Sequence, residues 1–530
     1  MHKKLIIFSL VVILSLFVTL PGEVVAEDRE GGKINLPLPY GGTVGTLEPA
    51  QTMRIQDMIS IGQIFDRLVK IDPETLEPVP AVAESWDVSE DGRIYTFHLR
   101  DDVKFHNGEQ LTAHDVKFTI ERVMDPAEAA DQADLFDSIE GVDEYQDEEA
   151  DEIRGIEVID DFTVEIKLKS LDIEFIYDIA HRGASILPAE AVKEQGDEFF
   201  VNPIGSGPFE FEEWIRGSEI NLSAFDDYYD GRPYLDEVSF KVMPESASRA
   251  ASFRAGELDV DVLEPAQYEA FSEDPEYQDY IIDIPELWTR NVHFNLDVVE
   301  ETEVRKAFNY AIDEELIIER LLHGLAYEPV GWLPPTSPGF NPDLEGFGHD
   351  PDKARELMEE AGYGPDNPYE IHTMGTDNPS WGVRILEAIQ PMLEDVGIEI
   401  EIELVDGATW LDRVSTGDFE ASIHSWGGEV LPSSYMASYF YSGYSRAAGN
   451  YVGYDNPEFD ENIEKARETP ELEERIEYIH AAEKVLMEDP PVWFFNYNRA
   501  TAVHQPHVKG IVPNPKEMMY IHLENVWLEE

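Results

Sequence analysis

The chain has 530 residues, 42% of them hydrophobic, and no cysteine. That length exceeds what one small core needs, so two or three subdomains are expected; disulfides, thiol nucleophiles and thiolate metal sites are excluded. Its 111 acidic against 38 basic residues give a formal charge of −73, which repels nucleic acid and anionic membrane surfaces. The carboxylates are spread along the whole chain rather than gathered in a tail. Concentrated salt screens such self-repulsion within a few ångströms, so the composition reads as adaptation to a saline medium and leaves the ligand open.

Met1-His2-Lys3-Lys4 is a positive start, residues 5–20 are apolar, and Pro21-Gly22 leads to Val24-Val25-Ala26. This is the pattern of a secretory signal peptide cut after Ala26, with an apolar run short of the roughly 20 residues a membrane span needs. The mature protein is expected to work outside the cytoplasm, periplasmic or extracellular, without a cysteine on which to build a lipid anchor. Residues 34–39 form a first strand, and Tyr40-Gly41-Gly42 is a loop able to approach a ligand by its backbone. In residues 68–123 a hairpin strand follows the Glu90-Asp91-Gly92 turn, and Thr112 caps a helix. His98, His106 and His114 recur every eight residues across strand, loop and helix, a spacing that does not converge on one ion, so they read as structural. The acidic run 143–152 lacks the glycine-turned spacing of a calcium loop and reads as a solvated insertion.

Residues 203–263 carry the most structure per residue. Gly205-Ser206-Gly207-Pro208 feeds a period-two hairpin through Phe209, Phe211, Ile220 and Leu222, turning at Arg216-Gly217. A strand at 238–242, a helix from Ser246 closed by Gly256, and an alternating run 258–263 follow. The wording GSGPF…EW…YY.GRPYLDEV.F…F.AGELDVD, with the blocks at 68–123 and 289–335, resembles the solute-binding proteins of peptide-importing ABC transporters, the dipeptide/oligopeptide/nickel-binding family. The resemblance implies an α/β, two-lobed, type II periplasmic-binding-protein-like fold with an extra scaffold subdomain in the first lobe. The expected divisions are a signal peptide at 1–26; a lobe I core from 27–58, 200–288 and 500–530; a scaffold at 59–199; and lobe II at 289–499. Tyr40 would lie beside the cleft.

Beyond Thr289, Val304, Ala307, Phe308 and Ala311 stripe a helix, Asp313 caps the next, and Gly324 ends it. Strand 371–374, helix 381–396 and the alternating strand 398–404 imply a wound α/β unit. Residues 421–454 are the most aromatic stretch, and Tyr435 is a candidate wall residue for an extended ligand. In the family a Trp, two residues and an acid receive a peptide's α-ammonium group; here the motif is Trp426-Gly427-Gly428-Glu429, with Val430-Leu431 departing from the usual continuation. Arg384 matches the position where dipeptide-binding relatives hold a carboxylate, and an arginine fork does so bidentately. A single helix is expected at 457–488, and a buried return strand at 490–497.

The resemblance implies a monomeric, non-catalytic component of an ABC importer that captures a di- or oligopeptide and passes it to a membrane permease, with no cofactor or metal. An oligosaccharide or chelated nickel in the same cleft is the alternative. A secreted glycosidase using paired carboxylates is the alternative from another class. The charge yields a first prediction: raising NaCl from about 0.1 M to about 2 M should raise the melting temperature progressively in a thermal melt, because the Debye length falls from roughly 10 Å to below 3 Å. A flat response would leave the acidic composition without a role in stability.

Overall fold

A computed structural model describes residues 31–39, 43–376 and 381–529. The leader and the Tyr40 loop lie outside the described residues. The strand expected first, Lys33–Leu38, pairs in parallel with Glu237–Val242, and the hairpin Phe209–Ile215 and Glu219–Ala224 completes a four-stranded sheet. Gly217 turns that hairpin with φ of 75°, a conformation glycine adopts without penalty. One face of the sheet buries Ile34, Leu36, Phe209, Leu222 and Phe240 against the helix Ile55–Ile64, together with Ala500, Ala502 and Ile521 from the end of the chain.

The scaffold is a second four-stranded sheet, Ala83–Val88, Ile94–Leu99, Thr163–Lys167 and Ile156–Asp160 in spatial order. Its core holds Phe97, Phe105, Phe136 and Phe175. Thr112 caps the helix Ala113–Met124 in a capping box with Asp115, whose carboxylate accepts the Thr112 N–H at 2.9 Å. The acidic run 143–152 is pinned by cations: Lys169 on Asp143, Arg154 on Glu144, Lys117 on Glu152.

The Gly205-Ser206-Gly207 turn joins scaffold to core, and its glycines are there for space. A Cβ on Gly205 would stand 1.9 Å from the Ile64 carbonyl oxygen, and one on Gly207 2.6 Å from that of Gln63. His106 braces the turn: its Nδ1 accepts the Gly205 N–H at 3.2 Å and its Nε2 donates to the Gly207 carbonyl at 3.0 Å. Burial pushes this imidazole down to about 4, so it works as a neutral structural group. Among the described residues no cluster of His, Cys, Asp or Glu is arranged to hold a metal, and no helix is long and apolar enough to cross a membrane.

The second half is built on a seven-stranded sheet. Tyr369–Thr376 runs parallel to both Ile398–Val405 and Ala421–Trp426, with the helix Trp381–Glu394 crossing between the first pair. Alternation in Ile398–Val405 slips at its end: Leu404 is exposed while Val405 turns in to join Trp410. The long helix expected at 457–488 is two, Pro457–Glu468 and Leu472–Glu488, broken at Pro470, which cannot supply the N–H a continuing helix needs. Both are amphipathic, with Phe459, Ile463, Ile479 and Leu486 buried.

Two long strands carry the chain between the halves. Ile281–Phe294 pairs antiparallel with Val492–His504, and the register shifts between Pro285 and Thr289. Before the shift, Ile282, Ile284, Ala500 and Ala502 pack in the first core; beyond it, Val292, Phe294, Trp493 and Phe495 pack in the second. A Gly205→Ala change should destabilise the protein by about 3 kcal/mol, because backbone rather than a mobile side chain must give way. Gly407→Ala, where a Cβ meets nothing within 4 Å, serves as the control, and urea midpoints compare the two. Equal midpoints would show that the turn relaxes freely.

Candidate ligand-binding cleft

A cavity of about 860 Å³ opens where the scaffold, the second half and the C-terminal segment meet. Its scaffold wall carries Arg67, Glu174, Tyr177, His181 and Arg182; the facing wall carries Glu429, Val430, Leu431, Tyr444 and Arg467; Lys516 and Tyr520 come from the chain's end. Behind the lining, where Leu287 packs on Val430, runs the register shift in the crossover strands, which supports the cavity as a floor. There the Leu287 N–H donates to the Pro515 carbonyl at 2.9 Å and Trp288 Nε1 donates to the Lys516 carbonyl at 2.7 Å.

The Gly427-Gly428 pair lets the loop after Ala421–Trp426 lie on this floor. A Cβ on Gly428 would come 2.1 Å from the Leu287 carbonyl oxygen, and one on Gly427 3.1 Å from the Trp288 ring. Val430 then packs with Leu287 and Leu76, and Ile71 and Tyr177 join from the scaffold. A polar clasp crosses the cavity as well. Glu174 accepts from Ser433 Oγ at 3.0 Å and from Arg467 Nε at 3.2 Å, with Arg467 Nη2 3.1 Å from its other oxygen. Arg467 in turn donates to the Tyr444 hydroxyl.

Glu429 lines the cavity with its side chain 48% exposed, and Lys516 Nζ stands 2.7 Å from its Oε2. Burial works to raise this carboxyl, but the Lys516 charge and hydrogen bond win and hold it below the ordinary carboxylate range. His181 is pushed down to about 3 by burial and the nearby Lys516 charge, and it enters the cleft neutral. Gly428 is buried with its backbone against Leu287 and is not among the cavity's lining residues. Trp426 ends its strand opposite Thr289. Tyr435, expected on the wall, is fully buried: its hydroxyl bonds Thr289 Oγ1 at 2.8 Å and its ring packs 5.1 Å from Trp332, because the helix Pro432–Phe440 turns that face into the core. Tyr439, Phe440 and Tyr454 share the same core, and Tyr444 is the tyrosine of this stretch that lines the cavity. Arg384 lies on the exposed face of its helix and is not among the cavity's lining residues.

Sequence reasoning passed over Arg67, Glu174, Arg467 and Lys516. A cation inside the apolar run Ile64-Phe65-Asp66-Arg67-Leu68-Val69 was a readable sign for Arg67. Nothing local marks Lys516, whose partner is 87 residues away.

These features define a two-lobed, type II periplasmic-binding-protein fold with its cleft between the lobes. The chain belongs to the bacterial extracellular solute-binding proteins, family 5, whose sequence profile matches residues 77–448. It is 28% identical to the dipeptide-binding protein of Escherichia coli over 88% of this chain and 89% of that one. It is 30% identical to di/tripeptide-binding protein 4 of Pseudomonas aeruginosa, covering 85% and 87%. Among solved structures it resembles the ABC transporter-associated periplasmic binding protein DppA of Helicobacter pylori in complex with the peptide STSA, at a TM-score of 0.79, 26% identity, and 95% and 99% coverage.

One partly buried acid sits at the register shift. Glu286 is pushed up to about 8 by burial and by Glu517, although Arg290 opposes this. Its folded value exceeds its unfolded value, so its contribution to stability is complete below about pH 4.5 and is lost as pH rises toward 8. The melting temperature should therefore fall between these limits, and Glu286→Gln should flatten that fall by about 2–4 °C. An unchanged slope in the variant would place the proton elsewhere.

Proposed function

We propose that this protein is the extracytoplasmic solute-binding component of an ABC importer and that it captures a short peptide between its lobes for delivery to a membrane permease. The observation that carries the reading is the cavity of about 860 Å³, lined by carboxylates such as Glu429 and by the guanidinium groups of Arg67 and Arg182, on a family scaffold. Its volume falls within the roughly 300–1,000 Å³ of small-ligand sites. A lining that holds both an acid and unpaired guanidinium nitrogens suits a zwitterion, and relatives named for di- and tripeptides lend further support.

Glu429 is the proposed acceptor of the peptide's α-ammonium group. A charge-assisted bond of that kind contributes about 1.5–3 kcal/mol. Lys516 now occupies the carboxylate, so the incoming ammonium shares Glu429 with it or displaces it. The crossover strands, broken in register between Pro285 and Thr289, are the proposed hinge, and the Glu174–Arg467 clasp belongs to the closed state. The protein is proposed to act as a monomer, exported by the leader at 1–26 with cleavage near Ala26, its acidic surface suited to a saline medium.

A thermal-shift and calorimetry series of di- to pentapeptides, cello-oligosaccharides and nickel, run in molar salt, tests the reading. Peptides should raise the melting temperature, by about 2.7 kcal/mol of stabilisation at a hundredfold excess over Kd. Glu429→Gln should weaken free-amine peptides about tenfold or more and leave N-acetylated ones unchanged. Stabilisation by an oligosaccharide or nickel with none by peptides would overturn it.

A further inference from the structure

Arg67 is 6% exposed, lines the cavity, and has its Nε and Nη1 buried without a hydrogen-bond partner. An arginine does not give up its proton, so an unpaired buried fork is a standing cost that a ligand's acceptor can relieve. A second guanidinium shares the wall: Arg182 donates through Nη1 to the Met58 carbonyl at 2.8 Å and lies flat on the Tyr520 ring, 3.9 Å from its centre. Room for it is reserved by Gly62, where a Cβ would fall 1.8 Å from that Nη1. Arg67, His181 and Arg182 all line this one cavity, and the Arg67 charge disfavours protonation of the other two. In a chain with 111 acidic and 38 basic residues, two arginines lining one cavity, one of them with unpaired nitrogens, call for an external anion.

We propose that Arg67 and Arg182 form a carboxylate subsite on the scaffold wall of the cleft, opposite Glu429, and that it takes an acidic group of the ligand. The planar fork of Arg67 matches a carboxylate bidentately, and the stacked Arg182 adds charge from a fixed position. For a peptide ligand this names which end faces the scaffold, and to that extent it rests on the reading above. The carboxylate is the C-terminus or an acidic side chain.

The test is calorimetry on the full protein with Ala-Ala-Ala as free acid and as C-terminal amide, and with Ala-Glu-Ala and Ala-Gln-Ala as amides. Wild type should prefer the acid of one pair about tenfold or more. The first pair reports a held C-terminus, the second a held side chain. Arg67→Met should bind both members of that pair within about twofold, and Arg67→Lys should restore part of the preference. Arg67→Met should melt no lower than wild type without ligand, since it replaces an unpaired buried charge by an apolar chain of similar volume. A preference of the same size in Arg67→Met, or none in wild type, overturns the subsite. If wild type binds none of these peptides, the peptide reading fails by itself and glutarate decides. A melting shift in wild type that is absent from Arg67→Met supports the subsite, and equal shifts, or none, overturn it.

Discussion

Everything in this molecule hangs on the antiparallel ladder between Ile281–Phe294 and Val492–His504. The same two strands put Ile284 and Ala502 into one core and Val292 and Trp493 into another. Each core locks its own stretch of ladder. Between them, at Pro285, the pairing shifts, and proline contributes no donor to the sheet. The cavity lies over this weakest stretch, so its walls belong to bodies that are each well packed while their separation is set by few bonds. Relative motion is the default for such a junction, and binding energy from a guest in the cleft acts first on that separation.

The forces that close the cavity are of two kinds. Val430, Leu287 and Leu76 form a small apolar contact, which salt does not screen. The Glu174–Ser433–Arg467 clasp is polar, half-shielded, and reaches from the scaffold to the second lobe. Exposed ion pairs contribute little, but a carboxylate that also accepts a hydroxyl, beside an arginine oriented by Tyr444, has its geometry fixed in advance. Salt screening thus reaches only part of the closure.

Much of the fold was legible in the chain. Period-two runs marked the hairpin at Phe209 and Ile220, helix-ending glycines at 256 and 324 adopt positive φ, and the Gly205-Ser206-Gly207 turn was placed correctly. What that turn does, pressing backbone against the Ile64 carbonyl, is a long-range fact that no local pattern carries. The same gap separates the expected cleft residues from those that line the cavity. Tyrosines at 435, 439 and 454 look like a stacking surface on paper, yet their rings complete a core around Trp332 and Phe440. The break at Pro470 was readable and was outweighed by the charge pattern on both sides. Lys516 and Arg67 reach the cleft through the tertiary fold alone.

The lysine on Glu429 has a consequence wherever salt is concentrated. An open carboxylate at the bottom of a cleft would be met by sodium far more often than by any scarce nutrient. Lys516 is tethered beside it, its backbone carbonyl fixed by Trp288, so its local concentration does not fall with dilution. It acts as a resident counter-ion that bulk cations must outcompete. With Glu429 as the proposed acceptor, a guest that also engages the proposed arginine subsite would gain from two contacts at once, and so would displace the lysine where a lone metal ion would not.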